Sequence, residues 1–552
     1  MTRPSASSAG ASHDSRGASA HTDHFTRDHL PPPEQWPVLR FELPELHYPA
    51  RLNCVAELLD RAVAAGAGER IAIRSDSEQW TYAQLLEQVD RIAHVLRGPL
   101  GLEAGNRVLL RGANNPMMAA AVLAVFKAGL VAVPTMPLLR ARELGVILAK
   151  ARVNAVLCAA GLRGEMDAAP NMAQRVLYFG AGAGPDGLEA HMARQPASYA
   201  PVDTAADDVC LISFTSGTTG VPKGTMHFQR DILAICDCFP RSVLASRPDD
   251  VFIGTPPLAF TFGLGGLLLF PLRVGASAVL LEKLTPETLL RAIAQYRATI
   301  CFTAPTFYRQ MAPLAAQYDI ASLRQSVSAG EALPLATREA WRQASGLEMI
   351  DGIGATELLH IFISAAGAQV RPGATGKPVP GYRACILDQD GKPVGPGVIG
   401  RLAVQGPTGC RYLDDERQRD YVVDGWNLTG DAYEMDADGY FHYRSRTDDM
   451  IISAGYNIAG PEVEDALLRH PAVAECGVVG RPDAERGQIV EAHVVLKPGH
   501  APGDALVAEL QEFVKQQIAP YKYPRAVRFQ QSLPRTETGK LQRFRLRADG
   551  NH

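Results

Sequence analysis

The apolar run Val209–Phe214 leads straight into Thr215-Ser216-Gly217-Thr218-Thr219-Gly220-Val221-Pro222-Lys223-Gly224. Glycines let backbone N–H groups converge on an anion, hydroxyls add donors and Lys223 adds a cation, so the loop reads as a cradle for phosphate oxygens. A flexible surface loop is the plainer alternative, and ten consecutive residues of this composition after a strand that reads as buried argue against it. The spacing is not that of Walker A. Pro222 precedes the lysine, and Gly224 follows it where a Ser or Thr is required.

Four further clusters carry groups suited to a nucleotide and its metal. Gly354-Ala355-Thr356-Glu357 offers a hydroxyl for phosphate and a carboxylate for a hard cation. In Thr429-Gly430-Asp431 the carboxylate presents two acceptors to a diol, and Arg446 of Arg446-Thr447-Asp448-Asp449 can donate to the same partner. Pro534-Arg535-Thr536-Glu537-Thr538-Gly539-Lys540 ends on a cation after a glycine. Taken singly, these are also what a helix cap, a turn aspartate and a solvated lysine look like.

In this order, with Ile451 after the Arg446 motif, the five motifs resemble the superfamily of acyl-CoA synthetases, peptide-synthetase adenylation domains and luciferases, over roughly residues 50–545. The resemblance implies an α/β large N-terminal domain of layered sheets and helices and a smaller mobile α+β C-terminal domain. It also implies a reaction in which ATP and a carboxylate give an acyl adenylate, passed then to coenzyme A. Lys540, Thr356 and Glu357 are the catalytic candidates: Lys540 bridges carboxylate and α-phosphate, Thr356 bonds the α-phosphate and Glu357 holds Mg²⁺. ATP falls to Thr215, Ser216, Gly217, Thr218, Thr219, Gly220, Lys223, Asp431 and Arg446. Gly330 and Glu331, after the strand-like Ser326–Ser328, belong to the adenine pocket or else to a plain strand-to-helix turn. Gly455 and Tyr456, in Ser453–Ile458, take the pantetheine of CoA, and Asp448 is the hinge. With no carrier domain after Lys540, free CoA is the expected acceptor. Lys540 also resembles the site at which similar synthetases are acetylated by a lysine acetyltransferase.

The family's pattern usually has an aromatic residue where Ile353 stands, which leaves the adenine stack weakened or supplied elsewhere. With Leu358-Leu359-His360-Ile361-Phe362, this departure looks like the benzoate and 2-aminobenzoate CoA ligases. Their acid pocket is built from that segment and the one matching Ala259–Gly263. Phe260, Thr261, Phe262, Gly263, His360 and Ile361 are therefore the pocket candidates, an apolar lining with few polar groups. His360 reads equally as an ordinary hydrogen-bonded core histidine. No acidic residue in the segment pairs with an α-ammonium, which argues against an amino-acid adenylation domain. Leu30–Pro37 and Arg51–Cys54 look most like 2-aminobenzoate CoA ligases. A medium-chain fatty or other acyl-CoA ligase is the rival enzyme, and a nucleotide-binding pseudoenzyme the rival without activity.

These residues need a scaffold. Thr81-Tyr82-Ala83-Gln84 is a capping box, and Leu85, Leu86, Val89, Ile92 and Leu96 recur at helical spacing after it. Strand-like Arg107–Leu110, helix-like Pro116–Ala128 and strand-like Val131–Pro134 follow, an alternation that predicts βαβ units around a parallel sheet. Asp438-Gly439 predicts a hairpin between Tyr433–Met435 and Tyr440–Tyr443. Beyond it, a helix from Val463, strands Cys476–Val479, Val490–Leu496 and Ala526–Phe529, and a helix Asp504–Gln516 form a second unit. The expected division is a disordered tail over 1–24, a large domain over 25–447 and a small one over 448–552.

The 552 residues suit two unequal domains. A formal net charge of -4 carries no basic bias and excludes nucleic acid as the expected partner. The nine cysteines are scattered, with only Cys236 and Cys238 close, so a reduced cytoplasmic interior fits better than disulfides or zinc. Leu258–Leu272, interrupted by glycines and Pro271, is too short to span a membrane. A homodimer is compatible with the sequence and is not fixed by it.

Overall fold

The computed structural model describes residues 18–173, 175–215, 222–453, 456–483, 485–535 and 541–548. The helix Tyr82–Arg97 begins at the expected capping box: Gln84 N donates to Thr81 Oγ1 (3.2 Å) and Thr81 N to Gln84 Oε1 (2.9 Å). Two otherwise orphaned donors are thereby satisfied. Its Leu85, Val89, Ile92 and Leu96 are buried, and Leu86 packs at the margin of the same core. The neighbouring helix Pro116–Lys127, capped by Asn115 Oδ1 on Met118 N (2.8 Å), is apolar around nearly its whole circumference and correspondingly buried.

Two sheets sandwich these helices' core. The first has six strands in the order Arg175–Phe179, Ala155–Ala159, Arg107–Arg111, Val131–Thr135, Val209–Thr215 and Lys223–Phe228. Its first five are parallel, as the alternation predicts, and the last is antiparallel. The second has nine strands, Lys377–Pro378, Ile361–Ser364, Met349–Gly354, Gln325–Ala329, Ile300–Thr303, Val251–Gly254, Ser277–Val279, Ile71–Arg74 and Gln79–Thr81. A third sheet places Trp426–Met435 between Ile399–Gln405 and Phe441–Arg446, and the last two of these strands form the expected hairpin around Asp438-Gly439.

The chain changes sheets within 447–450. Phe441–Arg446 belongs to the third sheet, whereas Ile451–Ser453 joins a fourth with Tyr456–Ile458, Gly487–Leu496, Val473–Asp483 and Ala526–Phe529. The helices Gly460–Leu468 and Asp504–Gln517 pack on that sheet around Val463, Leu467, Leu510 and Val514.

The tail is shorter than its composition predicts. Residues 19–24, expected to be disordered, are docked: Ser19 Oγ donates to Asp208, Ala20 N donates to Asp208 Oδ2 (2.9 Å) and Asn106 Nδ2 to Asp23 Oδ2 (2.8 Å), while Asp23 pairs with Arg107. Low hydrophobicity misled the reading because polar partners anchor this segment instead of apolar burial. All nine cysteines are free thiols, seven of them buried. Thr261–Val274 forms three short helical stretches buried in the main core, and no helix among the described residues is long and apolar enough to cross a membrane.

Candidate active site

Val209–Thr215 and Lys223–Phe228 form an antiparallel hairpin whose last pair is Thr215 opposite Lys223. The cradle loop thus leads back into the same sheet, and the next helix starts only at Gln229. In a Walker loop the phosphate would sit on a helix N-terminus, so the unusual spacing around Lys223 has a structural counterpart. Ser216, Gly217, Thr218, Thr219 and Gly220 lie outside the described residues. At the loop's entrance the buried Thr215 Oγ1 has no partner among the described residues.

The segment Arg411–Leu413 is laid along the outer edge of the Lys223 strand: Met226 N donates to Arg411 O (2.7 Å) and Leu413 N to Gly224 O (2.8 Å). Beneath it, the fully buried Arg411 pairs with Asp231 (3.0 Å) and lies 3.9 Å over the Phe228 ring. Trp36, from the leader Leu30–Pro37, packs 5.8 Å from the same ring, which gives that stretch a place under the hairpin. Tyr412 points its hydroxyl to where two motifs meet. It donates a hydrogen bond to Glu357 Oε1 and accepts one from Lys223 Nζ at 2.8 Å, while Lys223 and Glu357 stand 3.6 Å apart. Burial and the adjacent Glu357 carboxylate hold the Tyr412 hydroxyl well above the usual tyrosine range, so it stays protonated.

Glu357 and Thr356 stand on a single 3-10 turn, Thr356–Leu358, just past the strand Met349–Gly354. Thr408 Oγ1 donates to Leu358 O (2.8 Å) and clamps that turn from the segment that also carries Tyr412. Ile353 packs against the main core. Two residues before it, burial raises the Asp351 carboxyl to about 7, partly opposed by Arg338.

Asp431 and Arg446 face each other across the third sheet in register. Arg446 Nη1 donates to Asp431 Oδ1 and to Thr429 O, both at 2.9 Å, so in this state the guanidinium orients the aspartate. Gly430 makes the approach possible. It has φ +76°, and a Cβ there would lie 2.5 Å from Arg446 Nη2.

Gly330 follows the strand Gln325–Ala329, and Glu331 beyond it is tied on both oxygens. Oε2 accepts from Thr306 Oγ1 at 2.7 Å, and Oε1 lies 3.7 Å from Arg535 of the C-terminal unit. Arg535 also donates to Glu475 (2.8 Å), which Arg309 approaches at 3.4 Å. Asp465 Oδ1 accepts from Leu335 N (2.8 Å), capping the helix Leu335–Ser345 that Pro334 leaves uncapped. These contacts seat the small unit against Glu331, Arg309 and the start of the helix Leu335–Ser345. Lys540 and Gly455 lie outside the described residues, as does the side chain of Asp448. Tyr456 is 55% exposed and stacks on Tyr521 with centroids 4.6 Å apart.

The two segments that carry the pocket candidates meet at Phe262 and His360. The His360 ring lies 5.7 Å from Phe262 and donates from Nε2 to Phe262 O at 3.4 Å. Phe270 (4.4 Å), Phe239 (5.8 Å) and Phe302 (6.4 Å) complete a cage around it. Burial lowers the His360 pKa to about 3, so the ring is neutral, and Nδ1 has no partner among the described residues. Thr261 and Gly263 are buried beside it, Phe260 immediately precedes their short helix, and Ile361 packs on Gly352.

The model of AMP-binding enzymes matches residues 59–411, and that of the AMP-binding enzyme C-terminal domain matches 462–540. The chain belongs to the AMP-binding enzyme family. A benzoate–CoA ligase of Thauera aromatica is 35% identical over 515 residues, 92% of this chain and 97% of that protein. The structure is similar to that of the anthranilate CoA ligase AuaEII in complex with anthranoyl-AMP, with a TM-score of 0.86 at 33% identity over 92% of this chain and 99% of the other. A benzoate CoA ligase from Burkholderia xenovorans LB400 gives a TM-score of 0.82 at 32% identity, covering 90% of this chain and 100% of its own.

Tyr412 and the cage residues Phe239, Phe270 and Phe302 stand in none of the sequence motifs. Tyr412 meets Lys223 across 189 positions, a pairing with no local spacing signal. The cage phenylalanines lie in apolar runs where a pocket wall and plain core have the same composition. The donor set of this AMP-binding enzyme, one carboxylate and a hydroxyl on a single turn, suits Mg²⁺, which prefers few protein oxygens plus substrate phosphates. No cluster of three or more His, Cys, Asp or Glu that could hold a metal occurs among the described residues.

Proposed function

We propose that this AMP-binding enzyme joins an aromatic carboxylic acid, of the benzoate or 2-aminobenzoate type, to coenzyme A through an acyl adenylate. A carboxylate oxygen attacks the α-phosphorus of ATP, the bond to the β-phosphate oxygen breaks and pyrophosphate leaves. The CoA sulfur then attacks the acyl carbonyl, AMP departs and the thiol proton passes to solvent. Mg²⁺, held by Glu357 with Thr356 beside it, neutralises phosphate charge when bound. Asp431, fixed by Arg446, takes the ribose diol. Lys223 and the cradle loop take phosphate oxygens, Gly330 and Glu331 border the adenine, and Lys540 bridges the carboxylate and α-phosphate. Gly455 and Tyr456 lie on the CoA approach.

The observation that carries the acid class is the ring cage around neutral His360. Aromatic walls gain by burying a flat ring edge-to-face, whereas a flexible alkyl chain loses rotamer freedom in so rigid an enclosure. A neutral imidazole there does not repel or trap a neutral ring substituent. The likeness to ligases of benzoate and anthranilate supports the same class.

Purified protein given Mg-ATP, CoA and benzoate or 2-aminobenzoate should release pyrophosphate and AMP and form the CoA thioester in equal amounts. Pyrophosphate release without thioester would point to another acceptor and would contradict CoA ligation. Lys540 is read both as catalyst and as an acetylation site, since acetylation removes the charge that adenylation needs.

A further inference from the structure

Tyr412 sits at the junction of the two charged motifs without belonging to either. It is 1% exposed, its N–H donates to Gln418 Oε1 at 2.9 Å, and its ring meets Tyr421 edge-on at 5.8 Å. So little freedom fixes the hydroxyl in space. That hydroxyl donates to Glu357 Oε1 and accepts from Lys223 Nζ, 2.8 Å away, and it is the bridge between a cation and a carboxylate only 3.6 Å apart. Lys223 is half-buried and Glu357 buried, which strengthens whatever pairing they adopt.

We propose that Tyr412 is a positioning residue that keeps Glu357 and Lys223 from closing on each other, so that the carboxylate stays presented to Mg²⁺ and the ammonium to nucleotide phosphate. The proposal rests on the reading of Glu357 as the Mg²⁺ ligand. Without the hydroxyl, Glu357 Oε1 loses its donor, and the nearest replacement is Lys223 itself. A direct, charge-assisted pair would then form, and incoming Mg-nucleotide would have to break it. Outer-shell hydrogen bonds of this kind orient a metal ligand as much as its own rotamer does.

The test measures binding, not turnover. Fluorescence of mant-ATP is titrated with Mg²⁺ in the absence of acid and CoA, for the parent, Tyr412→Phe and Glu357→Gln, with melting temperatures recorded alongside. Tyr412→Phe should raise the Mg²⁺ concentration for half-maximal binding by about 10-fold, the scale typical of losing an outer-shell partner, and Glu357→Gln should raise it as well. A raised requirement for Glu357→Gln with a parental one for Tyr412→Phe overturns the role of Tyr412 alone, even if the melting temperature falls. Parental requirements in both overturn the reading of Glu357 and the proposal with it. Should the phenylalanine variant fail to fold, Tyr412→His, which keeps a ring but moves the donor, is measured with the same expectation.

Discussion

His360 shows how one residue's surroundings decide its chemistry. Enclosed by Phe239, Phe262, Phe270 and Phe302, it is neutral because burial lowers its pKa to about 3, against an ordinary value of about 6.5. Between these two pH values the unfolded chain binds a proton that the folded chain refuses, so its contribution holds above pH 6.5 and is lost as pH falls toward 3. His360→Leu should therefore flatten the acid limb of the stability curve by up to a few kcal/mol, with His227, whose pKa burial also lowers to about 3, accounting for part of what remains. Urea midpoints measured across that range would check it, and parallel limbs in parent and variant would count against a neutral buried His360. Asp431 and Glu357 stand in motifs that the sequence displays, whereas Tyr412 does not, because its partner Lys223 lies 189 positions away.

The elements show the same division. The strand Val209–Thr215, the capped helix Tyr82–Arg97 and the hairpin around Asp438-Gly439 follow from patterns that the sequence displays. The short helical stretches Thr261–Leu264 and Gly265–Leu269 looked only like an apolar run broken by glycines. The structure gives one of those glycines a purpose: a Cβ on Gly265 would lie 2.5 Å from His360 Cδ2 and 3.1 Å from Phe270 Cζ. Four phenylalanine rings around His360 leave it little room to yield. Gly265→Ala should raise KM for the aromatic acid by on the order of 10-fold, within the 1–3 kcal/mol typical of overpacking, and leave KM for ATP near the parent. An unchanged acid KM in a folded variant would separate this wall from the acid site. The docked stretch 19–24 is the converse case: side-chain hydrogen bonds to Asp208 and Asn106 order it, and composition gives no sign of them.

For the whole molecule, two units meet where Arg446 ends one sheet and Ile451 begins another, and Asp448 stands between them. If the small unit alternates between presenting Lys540 for adenylation and Gly455 for thioester formation, Asp448→Pro should form acyl adenylate and lose its transfer to CoA. Equal losses in the two half-reactions would speak against the hinge. Lys540→Ala should slow adenylation by on the order of 100- to 1,000-fold, the scale of losing one preorganised donor, while transfer from preformed acyl adenylate suffers far less. Acetyl-lysine at 540 should do the same until a deacetylase removes it. The two-domain plan and the order of the motifs were legible throughout the chain. The acid class was less so, because the cage is assembled from four separate segments. It is also the central claim, and kcat/KM for benzoate and 2-aminobenzoate against hexanoate and octanoate, measured as CoA thioester formed, tests it most directly: the aromatic acids should be preferred, and faster turnover of either alkyl acid than of any benzoate would contradict the account.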